Sequence, residues 1–146
     1  MPMLEVPGVF TMPFVPDGWT ATANGDSFFE LEPPDRSAAV HISIYRREPT
    51  ALVPGQAQSY LDRFIYQSPT DGTPSVVVLP AEGQEQRVFA TYRRRMEGGN
   101  LHDWFAGCIL WPSAMLMCSC NAAPGNGALK QGETMIASIF QGTEES

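Results

Sequence analysis

Apolar and polar residues alternate from Ala38 to Tyr45, with Val40, Ile42 and Ile44 on one side of the chain. This period of two indicates a β-strand with one buried face. Several more segments of this kind have turn-forming residues at both ends. Asn24-Gly25-Asp26 has the composition of a hairpin turn. The pattern predicts further strands at Gly8–Phe14 (an edge strand or extended arm), Trp19–Ala23, Ser27–Glu32, Val76–Leu79, Gln86–Met96, Leu101–Trp111 and Ala114–Asn121.

Two segments repeat their apolar residues with the 3.6-residue period of a helix. The first lies between Pro54-Gly55 and Ser68-Pro69, and its apolar stripe consists of Ala57, Tyr60, Leu61, Phe64 and Ile65. The second is predicted at Gly127–Phe140 with Asn126 as its N-cap. Its inner stripe consists of Leu129, Gly132, Met135, Ile136, Ile139 and Phe140. Glycine in a helix interior is unfavourable by roughly 1 kcal/mol relative to alanine, so Gly132 indicates a close approach between helix and sheet.

The last three strands are expected to form a meander, and Gly98-Gly99 suits a two-residue turn with positive φ. A turn at these two residues places Arg94 opposite Asp103 on one face and Arg93 beside Trp104 on the other. The middle of the meander is apolar on both faces, whereas a sheet with one solvated face would alternate cleanly. We therefore expect an α+β fold with a central antiparallel sheet of about six strands and a helix on each face.

The composition fits one domain, residues 1–146, with an N-terminal arm at 1–7 and a flexible tail at 141–146. Of 146 residues, 43% are hydrophobic and 17% charged, and glycine and proline number 13 each. The net charge is −7, distributed as acidic ends around a middle that carries eight of the nine basic residues. These values exclude a coiled coil, a disordered acidic protein and a basic nucleic-acid binder.

The sequence also bears on compartment. No secretory signal and no membrane span of roughly 20 apolar residues is evident. Three cysteines cannot form a complete set of disulfides. We therefore expect a cytoplasmic protein with no membrane or nucleic-acid partner.

The chemistry-bearing residues do not form a recognisable active site. Cys118 and Cys120 share a strand face, and the expected register turns Cys108 to the opposite one, so buried thiols are favoured over a metal site. Only two histidines are present, and no nucleophile elbow or phosphate-binding loop accompanies them. The sequence therefore predicts no catalytic, cofactor or metal site. A small hydrolase-like enzyme using His41 or His102 as acid or base is the least favoured alternative.

Large apolar side chains near the end of the meander exceed what one face of a small sheet needs. Aromatic and methionine residues carry much of the energy of protein interfaces and repack around varied partners. An arginine beside them can stack on an aromatic ring or bind an anionic group. The predicted partner-binding residues are Arg93, Trp104, Trp111, Met115 and Met117.

Two short signatures and the order of elements resemble a known family. A strand ends in Met12-Pro13-Phe14-Val15-Pro16-Asp17-Gly18-Trp19, and Ile136-Ala137-Ser138-Ile139-Phe140 closes the last helix. Together with the arm, strand pair, helix and meander, they resemble the PsbP/Mog-like α/β/α sandwich family. Its bacterial branch nearest in length is the effector-associated chaperones of type VI secretion. That resemblance implies a cytoplasmic and commonly dimeric protein that holds an apolar segment of a secreted effector on its sheet.

The expected function is therefore a non-catalytic protein-binding adaptor or chaperone. The alternative is an immunity-type protein that covers a toxin, in which case an acidic surface would meet a basic partner. An uncovered apolar patch favours the chaperone, an acidic convex surface favours the immunity protein, and a closed pocket with a histidine beside a nucleophile favours the enzyme.

Overall fold

The computed structural model describes residues 3–142, which form ten strands and two helices. Seven strands form one antiparallel sheet in the order β3-β4-β5-β9-β8-β7-β6. Their bounds are Thr20–Ala23 (β3), Phe28–Glu32 (β4), Ala38–Arg46 (β5), Asp71–Val78 (β6), Gln86–Arg95 (β7), Leu101–Trp111 (β8) and Ala114–Ala122 (β9). The α+β class and the antiparallel sheet are confirmed, with seven strands in the main sheet rather than about six.

A second, smaller sheet joins the two ends of the described chain. Its strands are Leu4–Val6 (β1), Phe10–Met12 (β2) and Phe140–Gln141 (β10), and β2 lies in the middle. Phe10 and Met12 are fully buried, so this sheet is part of the core. Gln141, the first residue of the predicted flexible tail, pairs with Phe10. Residues 143–146 of that tail lie outside the described residues.

The two helices, Gln56–Ile65 (α1) and Gly127–Ala137 (α2), contribute to different hydrophobic clusters. The buried residues of α1 pack with Val88, Ala90, Ala106, Cys108 and Leu110. Met135 and Ile136 of α2 pack instead with residues that include Ile109, Cys118 and Cys120. The even-numbered residues of β7 and β8 share one side of the sheet, which is called the α1 side because they cluster with α1. The opposite side is called the α2 side.

Gly132 brings α2 close to the sheet, as its position in the stripe predicts. A Cβ atom at Gly132 would overlap the Cys120 Sγ and lie 3.0 Å from the Cys120 Cβ and 3.2 Å from the Val40 Cγ2. A methyl group at this position would force the helix and the sheet apart. The helix therefore uses glycine because there is no room for a side chain.

The register of β7 and β8 differs by one residue from the expectation. Their loop has three residues, Glu97-Gly98-Gly99, and Met96 N donates to Asn100 O at 2.6 Å. Arg93, not Arg94, consequently lies opposite Asp103, and Arg94 lies opposite His102. A shift of one residue turns every side chain to the other face, so the expected stacking of Arg93 on Trp104 was wrong.

Two element boundaries also differ. Strand β6 begins at Asp71 rather than at the predicted Val76, and its pairing with β7 shifts in register between Asp71 and Ser75. The second helix ends at Ala137, and Phe140 is half-exposed in β10 instead of lying on the helix stripe. Ser138 and Ile139 donate to carbonyls in the last helical turn, which closes α2 three residues before the predicted end.

Candidate protein-binding surface

The five residues predicted to bind a partner do not lie on one surface. Trp104, Met115 and Met117 lie on the α1 side of the sheet, where Trp104 and Met115 are partly exposed and Met117 is 7% exposed. Trp111 belongs to the cluster on the α2 side and is 1% exposed. Arg93 is exposed on that second side, where its Nε donates to Asp103 Oδ1 at 2.8 Å.

Part of the α1 side forms a continuous surface beyond the strands on which α1 packs. Helix α1 packs mainly on β7 and β8, whereas this surface lies on the neighbouring strands β9, β5 and β4. Strand pairing brings Tyr45 opposite Met115 and Ser43 opposite Met117. The partly or fully exposed side chains that share this side are Phe28, Glu30, His41, Ser43, Tyr45 and Met115, and together they are called the open face. Met117, on the same side, is buried in the cluster that contains α1.

The open face is apolar at one end and polar at the other. Tyr45 is 54% exposed and lies beside Met115. Further along, Phe28 stacks on His41 with ring centroids 5.6 Å apart. His41 Nε2 and Glu30 Oε2 form a hydrogen bond 2.7 Å long. Such a surface can receive an apolar segment and also contact a polar group at its end.

An aromatic and arginine cluster lies at the C-terminal end of α1. The Arg94 Cζ is 4.9 Å from the Trp104 ring centroid and 5.3 Å from that of Tyr92. Its Nη2 donates to the Ile65 carbonyl at 2.6 Å, so a cation lies where the helix dipole is negative. Burial raises the pKa of Tyr92 to about 12, although the Arg94 charge opposes that shift. The cluster was missed because the wrong register separated Arg94 from Trp104.

Three buried polar atoms of this cluster have no hydrogen-bond partner among the described residues: Tyr92 Oη, Arg94 Nε and Trp104 Nε1. Burial of an unpaired donor is unfavourable by about 1–3 kcal/mol. The ring contacts with Arg94 offset part of that penalty. The cluster therefore fixes the end of α1 against the sheet at some energetic cost.

A partly buried hydrogen-bond network connects the start of β7 with the end of β8. Trp111 Nε1 donates to Glu85 Oε1 at 2.8 Å, and Arg87 Nε donates to Glu85 Oε2 at 2.9 Å. Arg87 also donates to the Ile139 carbonyl, beyond the end of α2. Burial alone would raise the pKa of Glu85, but hydrogen bonds from Arg87 and Trp111 and the Arg87 charge outweigh it, so the pKa is lowered.

The lowered pKa predicts a pH dependence of stability. The Glu85 carboxylate stabilises the fold above its ordinary pKa of 4.5, and this contribution is lost as the pH falls below 4.5 through the folded-state pKa. Glu85→Gln should therefore unfold at a lower temperature than wild type at pH 7, and the gap should narrow towards pH 3. Thermal unfolding followed by circular dichroism across that range measures the gap. A difference in unfolding temperature that stays constant with pH would show that the Glu85 charge does not contribute to stability.

The cysteines are buried and are not poised for reaction. All three are free thiols, and burial raises the pKa of Cys108 and of Cys120 to about 12 and raises the pKa of Cys118 as well. Thiols with raised pKa values stay protonated and are poor nucleophiles. Cys108 faces the α1 side, whereas Cys118 and Cys120 face the other, as expected. Within residues 3–142, no group of three or more histidine, cysteine, aspartate and glutamate side chains is arranged to hold a metal ion.

A groove of about 610 Å³ lies at the other end of the α1 side and was not predicted. One wall is the segment before α1, with Leu52 and Pro54, and the other is the end of β6 and the loop after it, with Val78 and Leu79. The Gln86 side chain holds the walls together, because it accepts from Ala57 N and donates to Val53 O. A run of valines at 76–78 was the only sequence signal near this groove.

No helix in the described part of the chain, residues 3–142, is long and apolar enough to cross a membrane.

Comparison with known proteins gives a fold likeness. No protein-family model matches the chain, and no curated protein matches it. A crystal structure from Bacteroides thetaiotaomicron VPI-5482 superposes with a TM-score of 0.64 at 18% identity over 97% of this chain. This chain covers 48% of that protein, about half its length.

The solution structure of cyanobacterial PsbP (CyanoP) from Synechocystis sp. PCC 6803 is also similar. The two structures superpose with a TM-score of 0.62 at 14% sequence identity. The match covers 92% of this chain and 87% of the cyanobacterial chain. Identities this low establish a shared fold and not a shared activity. The chain therefore has a PsbP-like α+β fold.

Proposed function

We propose that this protein is a non-catalytic adaptor or chaperone that binds an apolar segment of a partner protein on the open face. The observation that carries the proposal is the exposed Tyr45 beside Met115, on a part of the sheet next to the strands that α1 covers. Methionine side chains repack around varied apolar surfaces, and tyrosine supplies a large contact area at little entropic cost. The apolar segment that such a surface would bind could be a hydrophobic region of a secreted effector, as the family resemblance implies.

The proposed architecture supports this role. We infer an α/β/α sandwich with one helix on each face, because alternate residues of β8 divide between the clusters of α1 and α2. In this arrangement α1 covers the sheet towards β7, and the strands towards β4 are left for a partner. Trp104 then borders the open face, whereas Trp111 supports the opposite side of the sheet.

The geometry around the histidines favours binding over catalysis. His41 is hydrogen-bonded to Glu30, and His102 Nδ1 lies 2.9 Å from Asn121 Oδ1. In residues 3–142, neither histidine is hydrogen-bonded to a serine, threonine or cysteine that it could activate. A general base needs such a group within hydrogen-bond reach. The His41–Glu30 pair therefore fixes the polar end of the open face, and the His102–Asn121 pair joins β8 to β9.

Introducing negative charge on the open face tests the proposal. The double variant Tyr45→Glu/Met115→Glu should lose binding to a fluorescent test peptide of about 20 leucine and alanine residues flanked by lysines. Suppression of peptide aggregation, measured by light scattering, should fall in parallel. The proteins encoded beside this chain's gene are then tested one by one for co-purification with wild type and with the variant.

The matched control is Tyr66→Glu/Met3→Glu, which changes the same residue types at positions 62% and 57% exposed. Tyr66 follows α1 and Met3 precedes β1, so neither lies on the open face. This control should bind like wild type. Equal losses in both variants, or a wild type that binds neither the peptide nor any neighbouring product, would refute the proposal. Neighbours held through the acidic surface alone would favour the immunity-type alternative.

A further inference from the structure

Strand β6 is a solvent-exposed edge of the seven-stranded sheet. It pairs with β7 on one side and is the last strand in the sheet order. Val77 and Val78 are 55% and 57% exposed, and Val76 and Leu79 are each 37% exposed. Soluble proteins usually shield such edges with charged residues or cover them. The stretch 76–79 is apolar, exposed and without a charged residue, so it can pair with another strand.

The backbone groups available for pairing follow from the register. Leu79 N donates to Arg87 O at 3.0 Å, so the backbone of Leu79 faces β7. In an antiparallel pair alternate residues face the neighbour, and Val77 therefore faces β7 too. Val76 and Val78 lie between these residues, so their N–H and C=O groups point away from the sheet.

Two prolines limit the length of this edge. Pro74 and Pro80 have the same parity as Val76 and Val78, and proline has no N–H to donate. The outward donors between the prolines are therefore those of Val76 and Val78. Proline at these two positions restricts a partner strand to a short stretch.

The groove beside the edge provides side-chain recognition. Val78 belongs both to the edge and to the groove wall, and Val88, its partner on β7, lines the groove as well. A residue paired with Val78 on a new strand would point its side chain to the same side. That side chain would reach the wall formed by Leu52 and Pro54. Main-chain pairing with pockets for alternate side chains is how sheet edges recognise extended peptides.

Charge decides between a foreign strand and a second copy of the chain. Asp71 precedes the apolar stretch of the edge and Glu82 follows it, and both are exposed. Within residues 3–142 neither carboxylate forms an ion pair. Two copies paired antiparallel would set Asp71 of one near Glu82 of the other, and a parallel pair would align identical acids. Like charges across strands are unfavourable.

We infer that the β6 edge binds an extended segment of another protein, with alternating β-branched residues in its centre and a lysine or arginine at each end. The apolar centre pairs with Val76 and Val78, and the basic ends lie near Asp71 and Glu82. This site is separate from the open face, so the experiments can refute the proposal for one site and leave the proposal for the other intact.

The probe is a fluorescein-labelled peptide, Lys-Lys-Val-Thr-Ile-Thr-Val-Lys-Lys, and its binding is followed by fluorescence polarisation. Val78→Pro removes an outward donor without touching the hydrogen bonds between β6 and β7. We expect it to weaken binding by about tenfold, because main-chain pairing and the groove wall are both disturbed. Val78→Thr keeps the donor and should bind within about twofold of wild type.

Three further arms complete the test. Val76→Pro provides a second donor variant should Val78→Pro fail to fold, and Tyr45→Glu/Met115→Glu should bind the probe as wild type does. The double variant Asp71→Lys/Glu82→Lys should weaken binding at low salt, and so should a peptide with glutamate in place of its lysines. Probe binding that survives both proline variants in folded protein would overturn the inference. So would a wild-type dimer, seen by sedimentation, that Val78→Pro dissociates.

Discussion

Replacing Trp111 by alanine is expected to lower the free energy of unfolding by about 3–5 kcal/mol, as for other large aromatic residues in cores. Trp111 is fully enclosed in the cluster on the α2 side and donates to Glu85. The variant therefore creates a cavity and removes a buried hydrogen bond together. Urea unfolding monitored by circular dichroism measures the change.

Trp111→Phe separates the two contributions. It keeps most of the ring but loses the N–H group, so the loss should be smaller, about 1–2 kcal/mol. This comparison also decides whether Trp111 contacts a partner directly. A Trp111→Ala protein as stable as wild type but unable to bind would show that the side chain leaves the core to reach a partner.

Gly132→Ala is expected to destabilise the fold by about 1–3 kcal/mol, although alanine is the better helix former. The added methyl group would overlap the Cys120 side chain on β9, and the Val40 side chain is next to it. Helix α2 would have to move away from the sheet. The same urea experiment gives the change, and the control is Lys130→Ala on the exposed side of the same helix.

Cys120→Ala should relieve the overlap, because it removes the Sγ atom that the new methyl group meets. In the double variant the two changes should compensate, with a coupling free energy of about 0.5–3 kcal/mol between contacting sites. Additive effects would show that the helix has shifted and that Cys120 does not set its distance from the sheet.

The sequence pattern predicted the main elements but not the register between β7 and β8. Two consecutive glycines suit a two-residue turn and also the last positions of a three-residue loop, and the residue pattern is the same for both. The actual loop includes Glu97, which moves Arg94 to the side of Trp104. Hydrophobic alternation could not correct this error, because both faces of these strands are buried in the middle.

The candidate site was predictable only in part. The sequence predicts Met115 and Trp104 as apolar contacts for a partner, and in the structure both are partly exposed on the α1 side. Trp111 was selected for the same chemistry, but the structure buries it, because burial depends on how far each helix extends over the sheet. Strand alternation alone carries no such information. The groove beside β6 is formed by segments 30 residues or so apart, so it required tertiary contacts to be seen.

The small sheet also affects when the protein can finish folding during synthesis. Strand β2 obtains its second neighbour only when Phe140 and Gln141 have left the ribosome, since these residues form β10. Until then Phe10 and Met12, which are fully buried in the finished protein, lack part of their cover. The residues of β2 thus wait for a strand that follows them by about 130 positions in the chain, and chaperones that shield nascent chains would have a long contact at the hairpin of β1 and β2.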